Sequence, residues 1–299
     1  MKSKQIILAI ITLSTLAFGA NADSAIWGKD LITSILGYDQ KESLHLGYYF
    51  TLLQSTYFKP LFLGIILGVP AVFFLHYLVI GPMIFSHDRK KIYIFTLFNR
   101  IVHAIAAIAF ILIIPTGLVM MFGSTFGGGE FVRTCKEIHA ISTLLFIISV
   151  VPMFFMWLKS MFLHWDDIKW LMIVGGYLNK NKNPVPAGKF NAGQKTWYWL
   201  ATLGGFVMIG TGAAMFFQDF RLDILVEYGI SQIDFLRGSA IVHNVLGAAV
   251  VILFLVHIYM SVFAIKGAIH SMVTGYKEEE EVEVLHSSFY RKLKKENKI

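Results

Sequence analysis

The sequence predicts an all-α integral membrane protein built as a bundle of transmembrane helices. Hydrophobic residues make up 56% of the 299-residue chain, whereas ordinary soluble domains contain roughly 45–50% apolar residues. The mean hydropathy of +0.63 points the same way. The long apolar runs are continuous rather than alternating, and a continuous run is typical of a membrane helix rather than of a strand in a membrane barrel.

The N-terminus has the pattern of a cleavable secretory signal. Two early lysines precede an apolar stretch over residues 6–18, and the small residues "ANA" end at Ala22. This order predicts a signal peptide over residues 1–22, followed by a periplasmic segment over residues 23–59. An uncleaved anchor helix is the alternative, but the apolar stretch is short for a bilayer core about 30 Å thick.

Five later runs are each long enough to cross the bilayer as a helix. They cover residues 60–80, 101–122, 137–158, 196–217 and 239–264.

Lysine and arginine are distributed unevenly between the two sides of the predicted bundle. Outside the signal peptide, seventeen lie in segments 89–100, 159–195 and 266–299, and seven lie in the segments on the other side. The positive-inside rule therefore places the more basic segments and the C-terminus in the cytoplasm. Membrane orientation explains the net charge of +7. Nucleic acid is not an expected partner, because the basic residues lie in separate loops rather than in one patch.

Four histidines inside the spans fall at two predicted depths. His139 and His243 lie near the external ends of their spans, and His103 and His257 lie towards the cytoplasmic ends. His243 and His257 are fourteen residues apart in one span, which corresponds to about 21 Å along a helix and to nearly the same helix face. We therefore predict an outer pair, His139 and His243, and an inner pair, His103 and His257.

Each pair has the residues needed to hold a haem iron. Two facing imidazoles can occupy both axial positions, and a haem held in this way exchanges electrons rather than binding oxygen. The spacing thus predicts two haems stacked across the membrane.

A dinuclear metal site or a proton relay would also use intramembrane histidines, although neither explains a separation of about 21 Å on one face. Gly117 lies fourteen residues after His103, so its missing side chain is expected to leave room for a macrocycle at the outer pair.

The stretch "GKFNAGQK", residues 188–195, precedes the fourth span at its cytoplasmic end. Asn191 and Gln194 have the spacing of a capping box at a helix start. The same stretch would bring amide side chains and the exposed backbone of Gly193 to the depth of the inner pair, where they could form hydrogen bonds to a quinone carbonyl. The two interpretations are compatible.

Several stretches together resemble the gamma subunit, cytochrome b556, of the respiratory membrane-bound formate dehydrogenases. These are "FNRIVHAI", "KEIHAIS", "GKFNAGQKTWYW" and "AIVHNVLG" continuing to "FLVHIYMSVFAIKG", within residues 98–276. The resemblance implies a four-helix di-haem cytochrome b core in this range. It implies two haem b groups, one held by the outer pair on the periplasmic side and one by the inner pair on the cytoplasmic side.

The same resemblance implies a menaquinone site at Asn191 and Gly193, with Gln194 adjacent and His257 nearby. It also implies a location in the inner membrane and two periplasmic partners, an iron-sulfur beta subunit and a catalytic alpha subunit that contains molybdenum or tungsten. Formate oxidation would not occur on this chain. Its single cysteine, Cys135, could not hold a four-cysteine cluster.

The chain departs from the four-helix version of that family in its signal peptide, in residues 23–59 and in the first span. Residues 60–80 form an additional N-terminal span, and His76 within it is expected to have a structural role. Residues 277–299 form a charged segment that is expected to be a solvated cytoplasmic tail. The histidines outside the spans, His286 among them, are expected to be solvated or interfacial.

Three other functions share parts of this pattern. The cytochrome subunit of a hydrogenase or of a thiosulfate-type reductase would have the same histidine-held haems. A haem-free transporter or proton channel would use intramembrane histidines without a cofactor. A purely structural anchor would hold a catalytic subunit at the membrane without carrying electrons.

Overall fold

The computed structural model describes residues 46–219 and 222–299. The predicted signal peptide and most of the predicted periplasmic segment therefore lie outside the described residues.

The described part of the chain contains five helical segments that are long and apolar enough to cross a membrane. They are Leu46–Val79, Leu97–Met121, Gly129–Ser160, Ala192–Phe216 and Gln232–Ala264. Their number and order confirm the prediction of an all-α membrane protein, and we refer to them as the first to fifth spans.

The α-helices within and between the spans are numbered in chain order. They are α1 Leu46–Leu52, α2 Phe58–Val79, α3 Leu97–Met121, α4 Gly129–Trp157, α5 Trp165–Met172, α6 Ala192–Trp199, α7 Gly205–Phe216, α8 Asp223–Glu227, α9 Gln232–Ile258, α10 His270–Thr274, α11 Glu279–Leu285 and α12 Ser287–Lys295.

Shorter elements join or extend these helices. The π-helical turns Leu53–Tyr57, Leu200–Gly204 and Tyr259–Ala264 lie in the first, fourth and fifth spans, and the 3-10 turns are Leu158–Ser160 and Val174–Gly176. The strands β1, Lys91–Tyr93, and β2, Tyr276–Glu278, form one antiparallel sheet with Ile92 opposite Lys277.

The first span is helical from Leu46, the first described residue, so residues 46–59 are helical although they are predicted to lie in the periplasmic segment. Lys59 interrupts the apolar pattern at this point. Its ammonium group donates a hydrogen bond to the Ser124 hydroxyl at 3.0 Å. A long lysine side chain can carry its charge to a polar partner in this way, so the helix continues past it.

The chain divides into two compact units, and each of the five described spans contributes to both. Unit A comprises the described residues up to Pro60 with Ile111–Thr143 and Gly210–Asn244. Unit B comprises Leu61–Phe110, Leu144–Ile209 and Val245–Ile299.

The C-terminal segment is folded into unit B. Val282, Leu285 and Tyr290 are buried, and the Glu281 carboxylate pairs with the Lys277 ammonium group within the same segment. The expectation of a solvated tail is therefore wrong. The apolar residues of α11 enter the core. Glu281 is buried with them because Lys277 pairs with its charge, whereas Glu283 stays partly exposed.

His286 is buried rather than solvated, with 3% of its surface exposed. Its Nδ1–H donates to the Gly188 carbonyl at 2.8 Å. Burial lowers the pKa of His286 from 6.5 to about 3, and the positive charge of Lys277 acts in the same direction. The imidazole is therefore neutral in the folded segment.

The burial of His286 makes the attachment of the C-terminal segment pH-dependent. The unfolded chain protonates this histidine near pH 6.5 and the folded chain does not. Between pH 6.5 and about 3 the unfolded state therefore binds more protons, so the folded segment loses stability as the pH is lowered. We expect a loss of up to roughly 1.4 kcal/mol per pH unit. The measurement is the protection of the backbone amides of residues 282–290 against hydrogen exchange at pH 7 and at pH 5, each corrected for the intrinsic exchange rate at that pH.

His286→Asn is the matched control, since an amide can donate to the Gly188 carbonyl without titrating. Its protection should be nearly independent of pH. Equal protection of the wild-type segment at the two pH values would contradict this account.

Candidate functional site

The outer pair lies within unit A. His139 is carried by α4 and His243 by α9. The centroids of their imidazole rings are 6.4 Å apart, and the ring planes are inclined at 56°. The structure thus brings together the two histidines that the sequence analysis paired by depth.

The inner pair lies within unit B and has nearly the same geometry. His103 is carried by α3 and His257 by α9. Their ring centroids are 6.1 Å apart, with an angle of 55° between the planes. Each predicted pair is therefore formed, and α9 provides one histidine to each.

These separations fit one metal ion held between two rings. With metal–nitrogen bonds of ~2.0–2.1 Å and about 1.1 Å from a ring nitrogen to the ring centre, axial imidazoles on opposite sides of an ion have centres about 6.3 Å apart. The observed 6.4 Å and 6.1 Å lie on either side of that value. Direct contact between two neutral rings does not require this distance.

Hydrogen bonds orient both rings of the outer pair. The Nδ1 atom of His139 lies 3.0 Å from the Ile113 carbonyl oxygen. A carbonyl can only accept, so Nδ1 carries the proton and Nε2 keeps a lone pair for a metal. His243 Nδ1 lies 3.0 Å from the Thr211 hydroxyl, the same type of contact that orients metal-bound histidines elsewhere.

Glycines lie beside both outer rings. A Cβ atom added to Gly117 would lie 3.3 Å from His139 Cε1, and one added to Gly212 would lie 3.4 Å from His243 Cε1. Gly117 is thus at the outer pair, as predicted from its spacing. Gly212 lies in a span with no histidine from which to count, so the sequence alone explains Gly204, Gly205, Gly210 and Gly212 equally well by close helix packing.

Neither pair belongs to a larger protein-only metal site. Among residues 46–219 and 222–299, no three histidine, cysteine, aspartate or glutamate side chains are grouped so that they could hold an ion. Two neutral imidazoles are the protein ligands expected for an iron whose other four ligands come from a porphyrin. The donor set therefore fits haem better than it fits a dinuclear site.

The inner pair is in contact with the fourth span. Trp197 on α6 stacks on His257, with ring centroids 5.7 Å apart and planes at 21°. Phe110 packs against Trp197 at 5.3 Å. Sequence analysis gave Trp197 no role at this site, although it lies one and a half turns after Asn191 in the quoted "NAGQKTWYW" stretch.

The predicted capping box at the start of the fourth span is formed. Asn191 Oδ1 accepts from the Gln194 backbone N–H at 2.9 Å, and Gln194 Oε1 accepts from the Asn191 N–H at 2.9 Å. Both amide oxygens are thus used by the backbone, which leaves their NH₂ groups as donors. The Gly193 N–H lies in the first turn of α6, where no helical carbonyl is available to it.

Gly193 is covered by an indole. A Cβ added to Gly193 would lie 3.2 Å from Cη2 of Trp170. Trp170 is 8% exposed, and its Nε1–H is buried with no hydrogen-bond acceptor among the described residues. The backbone at Gly193 is therefore closely packed on one side, and any larger residue there would displace the ring.

A buried ion pair fixes α6 to α5. The Lys195 ammonium group donates to Asp167 Oδ2 at 2.7 Å and to the Phe162 carbonyl at 3.0 Å. The same carboxylate oxygen accepts from the His164 N–H at 2.7 Å. A buried pair is tolerated only when such further hydrogen bonds satisfy it, and here they hold the "NAGQK" turn in place.

The C-terminal segment supports the same turn from the other side. The Val185 N–H donates to the Val284 carbonyl at 2.7 Å, and the Phe289 N–H donates to the Ala187 carbonyl at 3.2 Å. These bonds and the His286 contact to Gly188 hold the backbone that leads into Asn191. The segment is thus part of the scaffold of this candidate site.

The sequence profile described as prokaryotic cytochrome b561 matches residues 94–275. This range contains both histidine pairs and the "NAGQK" turn. The chain belongs to the prokaryotic cytochrome b561 family. Membership in a cytochrome b family implies haem b as the cofactor, and the two histidine pairs have the chemistry and spacing to hold it.

Two relatives have informative names. The chain is 26% identical over 216 residues to the nitrate-inducible formate dehydrogenase cytochrome b556 subunit of Escherichia coli K12, covering 70% of this chain and 94% of that protein. It is 30% identical over 200 residues to the formate dehydrogenase cytochrome b556 subunit of Haemophilus influenzae, covering 64% and 79%. The predicted resemblance to formate dehydrogenase gamma subunits is thereby confirmed.

The close approach of Gly117 to His139 gives a direct prediction. Gly117→Leu should displace the His139 ring and reduce haem binding at the outer pair several-fold, because the 3.3 Å approach leaves no room for a side chain. The haem-to-protein ratio of the purified protein measures this.

Gly210→Leu is the matched control, since a Cβ there would meet nothing within 4 Å. It should keep the wild-type ratio. A normal haem ratio in Gly117→Leu would exclude a haem held by His139 in this geometry.

Proposed function

We propose that this protein is the membrane cytochrome b subunit of a formate dehydrogenase and passes electrons from an external iron-sulfur subunit through two haem b groups to a quinone. The observation that carries the proposal is the formation of two histidine pairs, with ring separations of 6.4 Å and 6.1 Å, on helices within the matched family range. The names of the relatives supply the identity of the dehydrogenase.

The histidines would serve as axial ligands. Bound haem supplies one-electron transfer and, with both axial positions filled, no site for oxygen. His139 is oriented by Ile113, which fixes the tautomer that presents Nε2. His257 is flanked by Trp197, which limits water access on one side of the inner pair. Helix α9 carries one histidine of each pair, since His243 and His257 are fourteen positions apart on it.

The quinone would bind at the start of the fourth span. The amide NH₂ groups of Asn191 and Gln194 and the N–H of Gly193 are donors suited to a quinone carbonyl. Trp197 lies on the same helix as Asn191 and against His257. This connection supports a site for the quinone headgroup, menaquinone by family resemblance, next to the inner haem.

The partners and orientation follow from the same proposal. The iron-sulfur beta subunit and the molybdenum- or tungsten-containing alpha subunit would lie on the periplasmic side of the inner membrane, next to the outer pair. The C-terminus and the quinone site would lie on the cytoplasmic side, as the distribution of basic residues predicts. Protons for quinone reduction would then come from the cytoplasm.

A hydrogenase or thiosulfate-type reductase subunit is the second candidate, because it would use the same histidines. The names of the relatives favour formate dehydrogenase. A haem-free transporter does not account for the ring separations at both pairs.

Haem counting tests the central part of the proposal. Purified protein should contain two b-type haems per chain by reduced-minus-oxidised spectroscopy, because each pair holds one. His243→Ala should contain one, with the inner haem retained. Colourless wild-type protein, or an unchanged ratio in the variant, would exclude the paired-ligand interpretation.

Substitution of Asn191 separates capping from quinone binding. Asn191→Ser keeps an N-cap oxygen for the Gln194 N–H but removes the amide donor, so we expect quinone reduction by the complex to fall at least tenfold while both haems remain reducible by formate. Asn191→Ala removes both functions and should also lower stability by roughly 1 kcal/mol. Wild-type quinone reduction in Asn191→Ser would limit this residue to capping.

A further inference from the structure

His76 lies in α2, in the first span, which is outside the range matched by the family. Both of its ring nitrogens are in hydrogen bonds within unit B. Nδ1 lies 2.6 Å from the Tyr259 hydroxyl, and Nε2 lies 2.7 Å from the Tyr177 carbonyl oxygen. Both polar atoms of the ring therefore have a defined partner on another part of the chain.

The chemistry of the partners fixes the direction of both bonds. The Tyr177 carbonyl can only accept, so Nε2–H is the donor and Nδ1 of the neutral imidazole is an acceptor. The Tyr259 hydroxyl therefore donates to His76. One side chain of the first span thus orients a hydroxyl on the fifth span and is itself held by the backbone of the loop after α5.

Packing reinforces this contact. Phe73, one turn before His76, stacks on Tyr259 with ring centroids 4.3 Å apart and planes at 2°. The tyrosine ring is 7% exposed. The first span therefore holds both the ring and the hydroxyl of Tyr259.

Tyr259 occupies a sensitive position next to the inner pair. It begins the π-helical turn Tyr259–Ala264, which directly follows α9 and starts two residues after His257. A π-helical turn shifts the hydrogen-bond register of the backbone and is often found at functional sites. Within this turn the Ser261 hydroxyl donates to the His257 carbonyl at 2.7 Å. The end of the helix that carries His257 is thus irregular and depends on contacts from outside the helix.

We infer that His76 is a positioning residue of the inner haem site: by holding Tyr259 it fixes the π-helical turn that follows His257 and so the orientation of this ligand. The inference rests on the proposed function. It gives the additional first span a role in electron transfer, beyond anchoring. It also predicts that His76 affects the inner pair and leaves the outer pair unchanged.

The experiment is a redox titration of both haems in the purified complex, for wild type, His76→Leu, His76→Gln and Leu78→Ala. In His76→Leu the Tyr259 hydroxyl loses its acceptor, so the π-helical turn and the His257 ring before it lose a positional constraint, and the orientation and hydrogen bonding of an axial ligand set the potential of a haem. We expect the equilibrium constant for reduction of the inner haem to fall about tenfold, ~59 mV for a one-electron couple. The outer haem should keep its wild-type potential.

The other variants separate positioning from general stability. His76→Gln keeps an amide that can bond to both partners and should recover most of the wild-type potential. Leu78→Ala changes a residue of the same helix that is 64% exposed and should leave both potentials unchanged. Tyr259→Phe should reproduce the effect of His76→Leu, and the double variant should add nothing further, as expected for two residues acting through one bond.

Two outcomes would overturn the inference. A His76→Leu protein with a lower unfolding temperature and an unchanged inner potential would make His76 purely structural. Equal shifts of both haems would also exclude a specific effect on His257. These outcomes are distinct from failure of the proposed function, in which wild-type protein would contain no haem and show no potentials at all.

Discussion

The requirement that a polar side chain inside a membrane must have a partner governs the functional architecture of this protein. Five imidazoles lie in the described apolar spans. His76 bonds to Tyr259 and Tyr177, and the other four face one another in two pairs across a gap of about the width that one axially held metal ion occupies. At the outer pair the remaining nitrogen of each ring is in contact with a carbonyl or a hydroxyl. The helices can therefore be almost uniformly apolar elsewhere, because their few polar groups satisfy one another or a cofactor.

The same constraint accounts for the region around the "NAGQK" turn. A buried lysine and a buried aspartate coexist there because Lys195, Asp167 and two backbone groups form a closed set of hydrogen bonds. The capping box uses the amide oxygens of the turn and leaves its NH groups as donors. A turn held this rigidly can present donors to a ligand with little reorganisation, which is the property that a quinone site adjacent to a haem needs.

Two parts of the chain outside the matched family range support this core. The C-terminal segment binds the backbone before Asn191 through Val284, Phe289 and His286. The first span reaches the fifth through His76 and Tyr259. The C-terminal segment therefore contacts the backbone beside the candidate quinone site, and the first span contacts the fifth two residues after His257.

The sequence by itself determined the features that depend on local order. Continuous apolar runs predicted five spans, the spacing of Asn191 and Gln194 predicted the capping box, and depth along the helices predicted the two histidine pairs. The ends of the elements were less well predicted: α1 extends the first span to Leu46, because a single lysine with a polar partner does not end a membrane helix.

Only the tertiary structure decided which residues meet across long sequence separations. His76 and Tyr259 are 183 residues apart, and His286 and Gly188 are 98 residues apart. Neither contact leaves a periodic signal, because each depends on how separate helices and segments pack. The burial of the C-terminal segment could not be predicted for the same reason. A short amphipathic helix is buried only if a complementary surface exists, and that surface is formed by distant parts of the chain.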